Sequence, residues 1–123
     1  MIGKLSAVAL DCPDPKALAA FYAEVVGGTV EVEAEEWVEL RHDGDGPHLA
    51  FQLAPDHRPP VWRDPARPQQ LHLDVKVARA EMDAAEQRVL ELGATLLEGD
   101  HDGARNWRVY ADPAGHPFCL CAC

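Results

Sequence analysis

The sequence predicts an α+β fold: two tandem βαβββ modules forming a curved mixed sheet, with a concave ligand cleft on one side and two helices on the convex side. Three observations carry that expectation. The order strand, helix, three strands occurs twice, about 70 residues apart. Trp37 and Trp107 fall at equivalent points of the two copies, as do the turns Asp43-Gly44-Asp45-Gly46 and Asp112-Pro113-Ala114-Gly115. A single unit of this kind is too small to bury its own sheet face, so a tandem pair has to pack together about a pseudo-two-fold axis. A concave sheet made in this way offers a cleft suited to small molecules.

The first module, residues 1–54, opens with a strand over Lys4–Asp11, in which Val8 and Leu10 face the core. A helix follows over Pro15–Val26. Asp14 is a natural N-cap, and Pro15 fits the first helical position, where its missing N–H costs nothing. Leu18, Phe21, Tyr22 and Val25 make one apolar stripe, and Gly27-Gly28 closes the helix. Short strands are expected near Gly28–Ala34, Glu36–His42 and His48–Leu53. In the last of these Leu49, Phe51 and Leu53 alternate toward the core, which leaves His48, Ala50 and Gln52 on the cleft side.

Residues 55–69 carry prolines at 55, 59, 60, 65 and 68, which preclude a helix or a central strand. The segment reads as a stiff, extended linker. It also holds Arg58, Trp62, Arg63 and Arg67, a cationic and aromatic content unusual for this chain. These side chains either lie on the surface or form the rim of the cleft, where Trp62 and an arginine would meet an aromatic or anionic ligand.

The second module, residues 70–123, repeats the order. A strand over Gln70–Val77 alternates Leu71, Leu73, Val75 and Val77 with His72, Asp74 and Lys76, so the aliphatic set lies under the helices. A helix over Ala80–Leu92 shows Met82, Ala85, Val89 and Leu92 at helical spacing and stops at Gly93. Strands near Ala94–Glu98, Asn106–Ala111 and Pro117–Ala122 complete the module, with Phe118 and Leu120 facing the core and Cys119 and Cys121 facing the cleft.

At 123 residues the chain is one domain's worth, 47% hydrophobic and 26% charged. Its net charge of −10, from 21 acidic and 11 basic residues, repels phosphate backbones and anionic membrane surfaces, so neither nucleic acid nor membrane is an expected partner. No apolar run reaches membrane-spanning length, and Met-Ile-Gly-Lys leads into a strand pattern rather than a signal peptide; the expected location is cytoplasmic. Cys119, Cys121 and Cys123 share one face of a strand by their i, i+2 spacing. They lack the turn spacing of a zinc motif, and together with Cys12 they read as small buried hydrophobes.

The tandem order, together with Asp14-Pro15, Phe21-Tyr22, Gly27, His72 on the fifth strand and Asp112-Pro113-Ala114-Gly115-His116-Pro117-Phe118, resembles the vicinal oxygen chelate superfamily of glyoxalase I, bleomycin-resistance proteins, fosfomycin-resistance enzymes and extradiol dioxygenases. Within it the chain is most similar to small actinobacterial glyoxalase-like domain proteins, through Leu49-Ala50-Phe51-Gln52, Pro59-Pro60 with Trp62, and Gln70-Leu71-His72-Leu73-Asp74. The resemblance covers the whole chain. It implies a metal held by one His or Glu from the first and last strand of each module, and a homodimer formed around sheet edges. Those four places fall here on Ala7, on or near Gln52, on His72 and on Cys119. Ala7 offers no donor and Gln52 a poor neutral one, so no metal is expected, although a divalent ion on a non-standard site stays open. His48, His72 and Cys119 are one conceivable substitute set.

Three functions remain open. The first is a metal-independent protein that binds a small organic molecule, aromatic in preference, in a cleft lined by Trp37, Gln52, Trp62, His72, Trp107 and Cys119. The second is an enzyme, a lyase, isomerase or dioxygenase type, with His72 oriented by Asp74 for general-base work or with a degenerate metal site. The third is a domain whose cleft is vestigial and whose role is association.

Overall fold

A computed structural model describes residues 1–123, which divide into two compact units, Met1–His57 and Arg58–Cys123. Each unit contains one βαβββ set, and each set builds a four-stranded mixed sheet.

The first unit runs β1 (Ala7–Cys12), α1 (Pro15–Val26), β2 (Thr29–Ala34), β3 (Trp37–Arg41) and β4 (His48–Leu53). The sheet order is β1-β4-β3-β2, with β1 and β4 parallel and the other pairs antiparallel. Parallel neighbours need a crossover, and α1 supplies it. The helix starts where the sequence says it should: the Asp14 carboxylate accepts from the Ala17 N–H at 3.1 Å, with Pro15 in the first turn. It ends at Gly27 and Gly28. A Cβ on Gly28, whose φ is +100°, would stand 2.7 Å from the Arg41 carbonyl oxygen, so the close approach of helix end and β3 requires glycine. Leu18, Ala19, Phe21 and Tyr22 are buried against the sheet, and the Tyr22 ring stacks on Phe51 at 5.9 Å. Val25, expected in the same stripe, is only half-buried.

The second unit runs β5 (Leu73–Lys76), a 3-10 turn over Arg79–Glu81, α2 (Met82–Glu91), β6 (Thr95–Glu98), β7 (Trp107–Ala111) and β8 (Pro117–Cys121). Its order, β5-β8-β7-β6, repeats that of the first sheet with the same single parallel pair, β5 and β8. Met82 and Val89 carry the buried face of α2, which packs on β8. Between β7 and β8 the Asp112 carboxylate accepts from the Ala114 and His116 N–H groups at 2.9 and 3.0 Å, and this side-chain cap shapes the turn.

Four expectations need correction. β5 is half the expected length: Leu71 lies outside it and is 45% exposed, because β5 is an outer strand and α2 covers β8 instead. The second helix begins at Met82 rather than Ala80, its first turn being 3-10 and lacking a side-chain cap. Residues 55–69 are not an extended spacer. Arg58 onward belongs to the second unit, and the segment folds on itself through Val61 N–H to Arg67 O, Asp64 N–H to Val61 O and the Arg67 guanidinium to Pro59 O, all at 2.9 Å. Finally, Cys121 and Cys123 are joined in a disulfide, their Cα atoms 5.3 Å apart, while Cys12 and Cys119 are buried thiols. The i, i+2 spacing that put both on one face also puts them within bonding reach where the chain leaves β8.

The helix face of the second sheet carries an ionic group among its hydrophobes. The Arg108 guanidinium donates to Asp83 at 2.8 Å, Glu86 at 3.2 Å and Asp100 at 2.8 and 3.0 Å, and the Tyr110 hydroxyl donates to Glu86 at 2.7 Å. Burial, and then the Glu86 carboxylate, push the Tyr110 hydroxyl well above the ordinary phenol range. The Tyr110 ring stacks on Phe118 at 5.4 Å, so the bond to Glu86 ties α2 to the core through a side chain already fixed by packing. Tyr110→Phe is expected to lower unfolding free energy by about 1–1.5 kcal/mol in urea titrations, since the Glu86 oxygen loses its only hydroxyl donor while Arg108 stays. Asp83, whose side chain is 93% exposed, is the control: solvent screens its ion pair, and Asp83→Ala should cost less than about 0.5 kcal/mol.

Candidate functional site

Two features of the second unit stand out as candidates. The first is a pocket of about 590 Å³ between the folded proline-rich segment and one end of the sheet. Pro59, Pro60, Trp62, Pro65 and Pro68 form one wall, and Leu97, Ala111, Gly115 and Pro117 the other. Prolines serve well here, because they close a loop without leaving unpaired N–H groups facing an apolar space. Gly115 (φ +90°) allows the two walls to meet, and a Cβ there would stand 2.3 Å from Pro59 Cβ.

The loop is anchored to β6 by charge. Glu98, next to the pocket residue Leu97, accepts from Arg63, from His101 at 3.2 Å and from Arg105 at 3.3 Å. Burial raises the Glu98 pKa, but the hydrogen bonds from Arg63, His101 and Arg105 together outweigh it and hold the carboxyl below its ordinary value. Arg63 and His101 reach Glu98 from left-handed backbone, with φ of 66° and 54°. Such conformations persist only where neighbouring contacts enforce them. Two residues further on, Asp100 is likewise held low, by the hydrogen bond from Arg108 and then by the Gly103 N–H.

The second feature is a polar trio on the opposite face of the sheet from α2. The register pairs Asp74 of β5 with Cys119 of β8, and His72 Nε2 lies 3.4 Å from Asp74 Oδ1. Donor atoms of His72, Asp74 and Cys119 all lie within 4.8 Å of one another. His72 and Asp74 are exposed and Cys119 is buried. Burial first, then the Asp74 carboxylate, push the Cys119 thiol up to about 11, so it stands protonated at neutral pH.

The expected site residues thus fall in different places. Trp62 lines the pocket. His72, Asp74 and Cys119 form the trio. Trp107 lies on the same sheet face, paired with Cys121, with the Arg105 guanidinium 5.3 Å from its ring. Trp37 and Gln52 are cross-strand partners in the first unit; the indole N–H donates to Glu39 and the Gln52 amide to the Glu36 carbonyl, both at 3.1 Å. His48 belongs to the first unit too, its ring 4.9 Å from that of His42. That unit has a polar hollow of about 430 Å³ near Lys4, Ser6, Arg41 and His48, where Arg41 is already spent on Glu31 and Glu39, both at 2.6 Å. Sequence reasoning missed Leu97, Glu98, Arg105 and Gly115, because their contacts arise only once residues 58–69 fold back on β6 and the Asp112–Gly115 turn.

The four-strand metal set implied by the resemblance does not fit these residues. Ala7 has no donor, and Gln52 offers only a neutral amide oxygen where the set calls for His or Glu.

Residues 7–121 match the model of a family described as the glyoxalase-like domain. No curated protein matches the chain in sequence. Among solved structures, a glyoxalase/bleomycin resistance protein/dioxygenase family enzyme from Burkholderia phytofirmans superposes with a TM-score of 0.74 at 19% identity, covering 96% of this chain and 97% of that one. A possible glyoxalase from Bacillus cereus gives 0.71 at 18% identity, over 98% and 99%. A mutant of the fosfomycin resistance protein FosX from Listeria monocytogenes, complexed with Mn(II) and a dihydroxypropylphosphonic acid, gives 0.69 at 17% identity, over 99% and 91%. Likeness at these identities speaks to the fold.

Two outcomes test the loop architecture. Gly115→Ala combines a positive φ with overlap on Pro59, so it should cost about 1–3 kcal/mol in urea titrations and shift Trp62 emission toward that of exposed indole. The Glu98 anchor has the pH dependence of a depressed carboxylate: its contribution is complete above the unfolded value near 4.5 and is lost as pH falls through the lower folded value. The urea midpoint should therefore fall as pH drops below about 4.5, and more gently in Glu98→Gln than in the parent chain.

Proposed function

The chain belongs to the glyoxalase-like domain family, and on that premise we propose that it binds a small organic molecule, apolar and aromatic in character, in the pocket walled by the proline-rich loop, with no metal taking part in that binding. The observation that carries this reading is the pocket itself. Its volume of about 590 Å³ suits a drug-sized metabolite, its walls are largely proline, leucine and alanine, and one indole, Trp62, is available to stack on a planar ligand. Arg63, Asp64 and Gln69 supply its few polar side chains. Of the six lining residues expected from sequence, Trp62 takes the stacking role. Trp37, Gln52, His72, Trp107 and Cys119 are not among the walls of this pocket.

The test is a titration of the full chain with an aromatic anion, anilinonaphthalene sulfonate, and with a panel of uncharged aromatic metabolites, read by tryptophan quenching. Saturable binding at one site per chain is expected. Trp62→Ala should weaken it by about 1–2 kcal/mol, and His72→Ala should leave it unchanged. Saturable binding indifferent to Trp62→Ala, or no saturable binding across the panel, would overturn the reading.

A second reading, an enzyme of the lyase, isomerase or dioxygenase type, draws on the 3.4 Å contact that orients His72 on Asp74. Turnover of a glutathione hemithioacetal that disappears in His72→Ala would place it ahead of simple binding. Homodimerisation belongs to either reading. Both sheets keep open outer strands, and β2 exposes Val30 and Val32 along one of them. No helix is long and apolar enough to cross a membrane.

A further inference from the structure

We propose that the ligand of the proline-walled pocket carries one oxyanion, a carboxylate foremost, and that Arg63 is the residue that takes it. This inference rests on the small-molecule reading of the pocket and narrows it from aromatic compounds in general to aromatic acids.

The first argument is where the charge lies. Residues 58–69 hold three of the chain's 11 basic residues and only one of its 21 acidic ones. The segment that walls the pocket is therefore cationic in a chain whose net charge is −10. The acidic remainder repels a small anion, and the loop draws it toward the pocket. Arg67 adds to that field without being free to bind, since its guanidinium donates to the Pro59 carbonyl at 2.9 Å.

The second argument is the state of Arg63 itself. Its side chain lines the pocket, and its guanidinium carbon stands 5.9 Å from the centre of the Trp62 ring, so adjacent residues supply the stacking surface and the cation. One terminal nitrogen donates to Glu98, which also accepts from His101 at 3.2 Å and Arg105 at 3.3 Å. A single carboxylate facing two guanidinium groups and an imidazole leaves positive charge in surplus. The Arg63 side chain is 66% exposed, and the Glu98 bond occupies one nitrogen of its fork. The planar remainder matches a carboxylate, which accepts two parallel N–H bonds from such a group. Glu98 and Trp62 already position the guanidinium, so a ligand loses little affinity to ordering it.

The pocket also limits the charge to one. Asp64 lines it too, with its Oδ1 accepting from the Ala66 N–H at 2.9 Å. That carboxylate opposes a second negative group, and walls of proline, leucine and alanine cannot solvate one.

The rival explanation is that Arg63 only ties the loop to β6. An anchor affects neutral and anionic ligands alike, whereas an anion-binding residue separates them. The test is calorimetric titration of the full chain with naphthoate and with naphthalenemethanol, the same ring bearing an acid or an alcohol. Naphthoate should bind about fivefold more tightly at low salt, an advantage that shrinks in about 0.5 M sodium chloride. Arg63→Gln should bring the two affinities together. Asp64→Asn, which keeps an oxygen for the Ala66 N–H, should tighten naphthoate about two- to threefold and leave the alcohol unchanged; a loop that had come apart would give no such gain. The inference is overturned if the parent chain binds the alcohol as tightly as the acid, if the preference survives Arg63→Gln, or if Asp64→Asn gives no gain for the acid. Equal affinities that both weaken in Trp62→Ala would remove the anion subsite and keep the pocket reading. An absence of saturable binding by either compound would remove both.

Discussion

The parallel pairing of first and last strand within each βαβββ set is the constraint on which the rest depends. Two parallel neighbours cannot be joined by a hairpin, so each helix carries the chain from the first strand to the far edge of the sheet, and the remaining strands step back until the last lies beside the first. In the first unit this packs Phe51 of β4 beneath Tyr22 of α1. In the second it sets Asp74 beside Cys119 and Leu73 beside Phe118. Because the side-chain period of a strand is two, a slip of one residue would exchange these sets, bringing Cys119 under the helix and Phe118 into the polar face. The apolar core and the polar trio are therefore two consequences of one register.

Charge placement in the second unit works against the chain's own composition. With acidic residues nearly twice as numerous as basic ones, carboxylates would repel one another wherever they cluster. Arg63 and Arg105 are spent on Glu98, and Arg108 is shared among Asp83, Glu86 and Asp100. Arg63 and Arg108 join pieces of chain that are distant in sequence, loop to β6 and β7 to α2, while Arg105 reaches back seven residues to Glu98. These ion pairs are partly exposed, and their value lies more in fixing the position of loops than in raising stability.

What could be read from sequence follows the range of the interactions. The start of α1 depends on Asp14, Pro15 and Ala17, all local, and was legible to the residue. β4, bounded by turn residues, was legible over its full span His48–Leu53. The alternation from Leu71 to Val77 overstates β5, because alternation records what could pair, whereas strand length is set by the neighbour actually present. The folding back of residues 58–69 was illegible for a related reason. Prolines forbid regular structure but do not say where the chain goes, and the hydrogen bonds that direct it join Val61, Asp64 and Arg67 across turns with no sequence signature. The trio was half legible: His72 and Asp74 share a face by spacing, but their meeting with Cys119 required the register of β8.

The proline walls of the pocket bear on the entropy of any event there. Pro59, Pro60, Pro65, Pro68 and Pro117 have almost no rotamers to lose, and the pyrrolidine ring stiffens the backbone at each. A guest of the kind proposed would immobilise few side chains of the wall, Trp62 foremost, so the ordering cost of its entry would be smaller than in a pocket of flexible residues. The same stiffness is selective. A wall that cannot rearrange would not adapt to branched or bulky shapes, and the proposed ligand would be accepted at least cost if flat and rigid.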